Sequence, residues 1–338
     1  MAKKKKPAAK KKNPAAKKKN PAARNNSSAR LHILAGDRHY FGQGVKRDPV
    51  KALKEYAKAA AEGNALAQFK LGASCLQGDG TPQDNAEAQK WFRLAAEGGN
   101  AMAQYNLAVS LMDDPHGPEV EREAFQWTLK AAEAGLDNAQ FSCGTLYLIG
   151  VGVEIDPAEA VKWFREAAAQ GHAPAQTKLG KMLLRGQGVP QDLAEGVKWS
   201  LQAAEGGFPE AQFNLGDMYL EALGVPRDNR EAMKWYRLAA KNGYAMASVK
   251  LGYLYENGHG VSPDLAQAVK WYRLAANQKA PIAALKLSQM YEDGLGVPQD
   301  LAEAQKWRES VDWRMLERDG SADKLIAWPF FQPEKRKR

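Results

Sequence analysis

Residues 211–243, AQFNLGDMYLEALGVPRDNREAMKWYRLAAKNG, decide the fold, because similar stretches recur along the chain at a fixed spacing. The spacing is marked by tryptophan, a rare residue. Seven tryptophans follow one another at intervals of 36 residues: Trp91, Trp127, Trp163, Trp199, Trp235, Trp271 and Trp307. A constant period of this size is typical of a repeat array, in which each repeat buries its apolar face only against its neighbours. The sequence therefore predicts one elongated array rather than two or three compact domains.

Each 36-residue repeat contains two predicted helices joined by a glycine turn. The eight repeats begin at residues 29, 65, 101, 137, 173, 209, 245 and 281. Apolar and small residues recur at helical spacing in AMAQYNLAVSLMD from Ala101 and in AEAQKWFRLAAEGG from Ala86. Turns such as GQGV from Gly186, followed by Pro-x-Asp, suit the end of one helix and the start of the next. The aromatic residues that follow the tryptophans are expected in the core: Phe92, Phe164, Tyr236 and Tyr272.

The string A-x-A-Q-x-x-L-G-x-x-Y, a Gly-x-Gly-Val turn and A-x-x-W-x-x-x-A-A-x-x-G resemble the Sel-one-like repeat (SLR), a relative of the tetratricopeptide repeat. The resemblance covers about residues 29 to 312. It implies an all-α fold, a right-handed superhelical α-solenoid of about eight 36-residue helix-turn-helix repeats. It also implies a role as an adaptor or assembly scaffold or, as for some members, as an immunity protein against a secreted toxin.

Charge divides the chain into three parts. The net charge is +9, yet residues 1–30 hold ten Lys and two Arg without an acidic residue, and residues 331–338 hold four basic residues. The remaining residues are acidic, with 38 Asp and Glu against 32 Lys and Arg. We therefore predict a disordered Lys/Pro/Ala-rich basic arm over 1–30, the solenoid over 31–312, and a C-terminal cap with a basic tail over 313–338.

The basic arm is expected to attract an anionic partner. Its candidate residues are Lys3, Lys4, Lys5, Lys6, Lys10, Lys11, Lys12, Lys17, Lys18 and Lys19. Such an arm binds phosphate backbones without reading bases, so nucleic acid is one predicted partner. An anionic membrane surface is the rival, and a role in solubility alone is the third interpretation. The first residues, MAKKKK, resemble the charged start of a signal peptide, but no apolar segment follows them before the repeats begin. We therefore expect no export signal, no transmembrane segment and a cytoplasmic protein.

No residue pattern in this sequence indicates catalysis. The five histidines are scattered, no two of them have the spacing of a helical metal pair, and no P-loop or dinucleotide motif occurs. Cys75 and Cys143 occupy different positions of different repeats and are predicted to be buried, reduced thiols. The sequence thus predicts a protein that is not an enzyme and that has no catalytic residues, cofactor or metal site.

Binding is predicted on the first helix of each repeat. Small and apolar positions mark its packed side, which leaves positions 2, 6, 9 and 13 of the repeat as an outward stripe. In the related tetratricopeptide fold the first helices line the concave surface, and the resemblance implies the same here. Position 6 carries hydrogen-bond donors suited to the carboxylates or carbonyls of an extended partner segment. The candidate residues are Lys70, Asn106, Lys178, Asn214, Lys250 and Lys286, with Ser142 at the same position of the fourth repeat.

Ordinary solvent exposure is the competing interpretation of that stripe. Two further irregular parts are the loop from Asp113 to Glu121, which replaces the Gly-x-Gly turn, and residues 313–331 with Trp313 and Trp328. We expect the second to cover the last open face of the array, with docking of a hydrophobic peptide elsewhere as the alternative. The predicted function is a non-enzymatic protein-interaction scaffold. A nucleic-acid-associated factor tethered by its arm and an immunity or regulatory protein are the alternatives.

Overall fold

The computed structural model describes residues 21–113 and 117–311, and every regular element in those ranges is an α-helix. The chain divides into an N-terminal unit that ends at Ala134 and a C-terminal unit that begins at Gly135. The helices of the N-terminal unit are α1 (Pro21–Phe41), α2 (Pro49–Ala61), α3 (Ala65–Gln77), α4 (Asn85–Glu97), α5 (Ala101–Asp113) and α6 (Pro118–Glu133). Those of the C-terminal unit are α7 (Asp137–Ile149), α8 (Pro157–Ala169), α9 (Ala173–Arg185), α10 (Leu193–Glu205), α11 (Pro209–Glu221), α12 (Asn229–Lys241), α13 (Ala245–Asn257), α14 (Leu265–Asn277), α15 (Pro281–Asp293) and α16 (Leu301–Glu309).

These helices form the predicted pairs. The odd-numbered helices are the first of each repeat and are called A helices here, and the even-numbered ones are called B helices. Within each unit, helices that are consecutive in the sequence pack against one another. The fold predicted from the 36-residue period, an all-α array of helix pairs, is therefore confirmed.

Aspartate and a left-handed residue set the helix ends. The B helices other than α6 begin after an aspartate whose carboxylate accepts hydrogen bonds from backbone N–H groups of the first turn, which satisfies donors that have no partner inside the helix. These caps are Asp48, Asp84, Asp156, Asp192, Asp228, Asp264 and Asp300. The A helices other than α5, which ends at the edge of a described range, end in the left-handed region, as at Gly186 with φ of 65°. Ala222 takes the same conformation after α11 with φ of 58°, which a Cβ makes unfavourable.

The core is built from small residues that face large ones. Alanines at position 3 of the repeats, such as Ala67 and Ala211, are fully buried, and so are the rings predicted for the core. The glycine at position 8 makes room for the ring at position 28. A Cβ on Gly216 would lie 2.5 Å from Cε1 of Tyr236, and one on Gly72 would lie 2.8 Å from Cδ1 of Phe92. The rings therefore fill the space that these glycines leave empty.

The glutamine of the repeat motif links one repeat to the next. Gln176 donates from Nε2 to the carbonyl of Ala168 at 3.1 Å, and Gln212 donates in the same way to Ala204 at 3.1 Å. Each glutamine is buried and satisfies a carbonyl in the last turn of the preceding B helix. In the repeat that begins at residue 245 the glutamine is replaced by Ser248, whose buried hydroxyl has no hydrogen-bond partner.

The predicted boundary of the basic arm at residue 30 needs correction, because α1 already begins at Pro21. Proline is favourable in the first turn of a helix, where its missing N–H costs no hydrogen bond. Ala29 is buried in the core of the first repeat. Residues 1–20, with the ten candidate lysines, lie outside the described residues, as do residues 114–116 of the irregular loop and the C-terminal segment from residue 312.

Cys75 and Cys143 are buried thiols that form no disulfide, as predicted. Burial raises the pKa of the Cys75 thiol, so the thiol stays protonated at neutral pH. Among the helices of the described ranges, none is both long enough and apolar enough to cross a bilayer.

Candidate protein-binding face

The predicted stripe on the A helices is exposed at position 13 and half-buried at position 6. Position 13 faces solvent in seven consecutive repeats. Its residues are Gln77, Asp113, Ile149, Arg185, Glu221, Asn257 and Asp293. The residues predicted to bind a partner at position 6 are half-buried instead: Lys70, Asn106, Ser142, Lys178, Asn214, Lys250 and Lys286. Position 6 thus lies at the margin of the packed side, so its residues also have neighbours within the protein.

Lys70 belongs to a cluster of three polar groups in the N-terminal unit. Its Nζ lies 2.9 Å from Oδ1 of Asp37, on α1, and 5.4 Å from the centre of the Tyr56 ring. The Tyr56 hydroxyl donates to the same carboxylate oxygen at 2.6 Å. Burial, and next the Asp37 carboxylate, raises the pKa of Tyr56, so the phenol stays protonated as a donor. A tyrosine at position 28 therefore positions an acid that neutralises the lysine of the next repeat.

The same cluster occurs twice in the C-terminal unit. Lys250 lies 3.5 Å from Asp217, which accepts a hydrogen bond from the Tyr236 hydroxyl at 2.6 Å. Lys286 lies 3.1 Å from Glu256, and the Tyr272 hydroxyl donates to that carboxylate at 2.6 Å. Burial raises the pKa of both tyrosines, and the neighbouring carboxylates add to the shift. Three of the lysines predicted to form a ligand row are thus engaged inside the protein, so position 6 is not a uniform row of free donors.

Lys178 differs from these three lysines. The preceding repeat offers Thr145 and Phe164 where the repeat before Lys250 offers Asp217 and Tyr236. Within the described ranges Lys178 forms no ion pair, and neither do the exposed Lys181 and Arg185 on the same helix. Residues 178, 181 and 185 are spaced so that they share one face of α9. This helix therefore presents three uncompensated positive charges on its outward side.

The neighbouring A helices carry a different charge. Helix α11 has no basic residue, and its Glu210 and Glu221 are exposed and without an ion pair among the described residues. The outward positions of α7 hold Asn138, Thr145 and Ile149, which are uncharged. The C-terminal unit thus presents uncharged, positive and negative surface on three successive A helices.

Outward positions 2 and 9 in the N-terminal unit include exposed apolar side chains. Leu66 on α3 and Met102 and Val109 on α5 are 44%, 45% and 41% exposed. Sequence reasoning placed these positions on the stripe but did not identify their shared apolar character. It also missed the acids Asp37, Asp217 and Glu256, although the tyrosine at position 28 was a readable signal.

The outer side of the B helices is a solvated surface with ion pairs along α4, α8 and α12. Lys90 pairs with Glu87 at 3.0 Å and Lys162 with Glu159 at 2.6 Å, and Lys234 pairs with Glu231 in the same arrangement. Exposed pairs three residues apart contribute little to stability. They are therefore no evidence of a binding site.

His172 and His32 each form contacts within the protein. His172 caps α9 by accepting a hydrogen bond at Nδ1 from the backbone N–H of Ala175 at 3.2 Å, and burial lowers its pKa. His32 lies 2.6 Å from Glu55. In the part of the chain that the structure describes, no three His, Cys, Asp or Glu side chains are grouped so as to hold a metal ion.

Comparison with known proteins agrees with the repeat geometry. The Sel1 repeat family model matches residues 31–64, 65–100, 101–136, 137–172, 173–208, 209–244, 245–279 and 281–307. A Sel1 repeat protein of Oxalobacter formigenes is 29% identical with a TM-score of 0.71, over 90% of this chain and 89% of that one. A protective antigen of uropathogenic Escherichia coli with an SLR fold is 30% identical with a TM-score of 0.71, over 90% of this chain. The match spans only 65% of that antigen. No curated protein matches the chain. With eight matched repeats that coincide with the eight helix pairs, the chain belongs to the Sel1 repeat family.

Proposed function

We propose that this protein is a non-enzymatic interaction scaffold whose A-helix face binds an extended segment of another protein. The observation that carries the proposal is the contrast between the two kinds of helix. The B helices contribute the buried rings, share the buried alanines with the A helices, and expose paired charges. The A helices expose, at position 13, side chains that are polar, apolar, acidic or basic from one repeat to the next.

Such variety suits recognition of one partner. Glycine, alanine and aromatic residues recur at the same positions because stacking requires them, whereas the outward positions are free of that requirement. A row of A helices also offers an extended surface on which successive residues of a partner meet successive repeats. Membership of the Sel1 repeat family supports a binding role over catalysis.

Site-specific photo-crosslinking tests the proposal. A photoreactive amino acid is placed, one position at a time, at Ile149, Arg185 or Glu221 on the A helices of the full chain. Exposed B-helix positions of the same unit serve as matched controls: Lys198, Lys241 and Lys270. We expect the A-helix positions to form adducts with one common protein, identified by mass spectrometry, that the B-helix positions do not capture. Equal capture from both kinds of helix, or no common adduct, would contradict the proposal.

The two alternatives from the sequence stay predictions. Binding of nucleic acid or an anionic surface rests on the lysines of residues 3–19, which lie outside the described residues. A role as an immunity or regulatory protein requires the same A-helix face and differs only in the identity of the partner. The crosslinked protein, once identified, separates that alternative from an adaptor.

A further inference from the structure

The positive face of α9 indicates the chemistry of the partner. We propose that Lys178, Lys181 and Arg185 bind a short cluster of acidic side chains in the partner segment. This inference rests on the proposed scaffold function and specifies which helix contacts which part of the partner. The three cations share one side of a helix that contains no Asp or Glu.

Within the described ranges, these three cations have no ion-pair partner. At position 6 in other repeats, Lys70, Lys250 and Lys286 each lie within 3.5 Å of a carboxylate on the preceding A helix. Lys178 has no such carboxylate, because Thr145 stands where an acid would be needed and Phe164 lacks the hydroxyl that holds the acid in place. An anion from another molecule would therefore find at Lys178 a cation that has no counter-charge among the described residues.

The distance between α9 and the next A helix sets the length of the acidic cluster. Helix α11 packs against α9 and exposes Glu210 and Glu221. Packed helices have axes about 8–10 Å apart. Because an extended chain advances about 3.3 Å per residue, roughly three residues cross one helix before they reach the next. The partner segment therefore carries two or three acids over α9 and basic or neutral residues over α11.

The change in the sign of the charge from α9 to α11 favours a protein segment over a nucleic acid as the partner. A nucleic acid carries a charge on every phosphate, so it would extend its negative charge across the carboxylates of α11. A polypeptide can change the sign of its charge within three residues. The alternation of charge between α9 and α11 fits such a segment.

Fluorescence anisotropy with the full chain tests this inference. The probe is a fluorescein-labelled Gly/Ser peptide that contains three consecutive glutamates, a short spacer and three consecutive lysines. A peptide of the same composition with alternating Glu and Lys controls for charge content, and a dT12 oligonucleotide represents nucleic acid. The test variant is K178Q/K181Q/R185Q. The matched variant K198Q/K241Q/K270Q removes the same charge from exposed B-helix positions of the same unit and leaves residues 1–20 intact.

We expect the segregated peptide to bind more tightly than the alternating one, and the α9 variant to lose about tenfold in affinity, as three partly exposed charge pairs allow. The matched variant should stay within about twofold of the original protein. Unchanged binding in the α9 variant, an equal loss in the matched variant, or a loss confined to dT12 would overturn the inference. Circular dichroism confirms that both variants keep their helices.

The outcome is separable from that of the scaffold proposal. If the A-helix crosslinks persist while the α9 variant binds the peptide normally, the scaffold stands and the acidic segment is wrong. If α9 is required for the peptide but the A-helix positions capture no common protein, the charge assignment stands and the scaffold role falls.

Discussion

Lys178 and Lys250 occupy the same position of two repeats in the C-terminal unit, yet their surroundings are opposite. Lys250 meets Asp217, and the hydroxyl of Tyr236 holds that carboxylate. Lys178 follows a repeat in which Thr145 and Phe164 take those places, and it has no ion pair within the described residues. Two residues of the preceding repeat thus decide whether a lysine is used inside the array or remains available to a partner.

The glycine at position 8 is linked to the ring at position 28, whose hydroxyl holds the acid. Tyr236 lies against Gly216, and in one repeat that lacks the ring the glycine is replaced as well. Thr128 stands at the ring position opposite Ala108, which replaces the glycine of that repeat. The ring at position 28 therefore requires glycine at position 8, and the acid cluster in turn requires the hydroxyl of that ring.

The largest expected effect comes from filling the space beneath the ring. Gly216→Ala places a Cβ 2.5 Å from Tyr236, a fully buried side chain without room to move. Overpacking of this kind costs about 1–3 kcal/mol, and the higher helix propensity of alanine returns about 1 kcal/mol. We expect a net loss of up to about 2 kcal/mol in the local free energy of opening, measured by amide hydrogen exchange in α11 and α12.

Gly180→Ala is the control, because Ser200 takes the place of the ring there. The new Cβ would lie 2.6 Å from the Ser200 hydroxyl, a small group that can rotate away, and 3.1 Å from the Gly196 carbonyl oxygen, which would have to shift by only a few tenths of an ångström. The loss should be clearly smaller than for Gly216→Ala. Equal losses at the two positions would show that the ring does not determine the need for glycine.

An intermediate effect is expected when the acid is removed. Asp217→Ala leaves the Tyr236 hydroxyl and the Lys250 ammonium without their shared acceptor. A buried group left without its partner costs about 1–3 kcal/mol, and the partial exposure of Lys250 brings the expected loss to about 1 kcal/mol. Glu221→Ala, at an exposed position of the same helix, should change stability by less than about 0.5 kcal/mol in urea denaturation. A loss for Asp217→Ala no larger than that of the control would contradict the role of the cluster.

The array could be predicted from the sequence because each of its signals recurs in seven of the eight repeats. Tryptophan spacing, alanine at position 3 and aspartate before the B helices are local rules, so the one repeat that departs from each rule does not obscure it. Whether a lysine at position 6 forms an ion pair within the protein could not be predicted in this way. Lys70 and Lys250 pair with acids 33 residues earlier, whereas Lys286 pairs with one 30 residues earlier, at a different position of the repeat. Which pairs meet depends on side-chain reach between stacked helices.

The start of the first helix was missed for a related reason. The period of Pro-Ala-Ala-Lys units suggests that the arm extends through Pro21, but Pro21 opens α1 instead. The sequence alone does not show whether a proline belongs to a disordered repeat or to the first turn of a helix. Only burial of a residue such as Ala29 distinguishes the two, and burial is a property of the packed array.

The smallest expected change in stability comes from transplanting the cluster onto α9. Thr145→Asp together with Phe164→Tyr rebuilds in front of Lys178 the arrangement that Lys250 has with Asp217 and Tyr236. A partly exposed ion pair contributes little, so the free energy of unfolding should change by no more than about 1 kcal/mol. The affinity for the segregated Glu/Lys peptide should nevertheless fall about threefold, because one of three cations on α9 is now neutralised internally. Thr145→Asn with Phe164→Tyr has the same shape without the charge and should leave the affinity unchanged. If both double variants bind equally well, Lys178 is not a contact for acidic segments, and its lack of an internal partner has no bearing on binding.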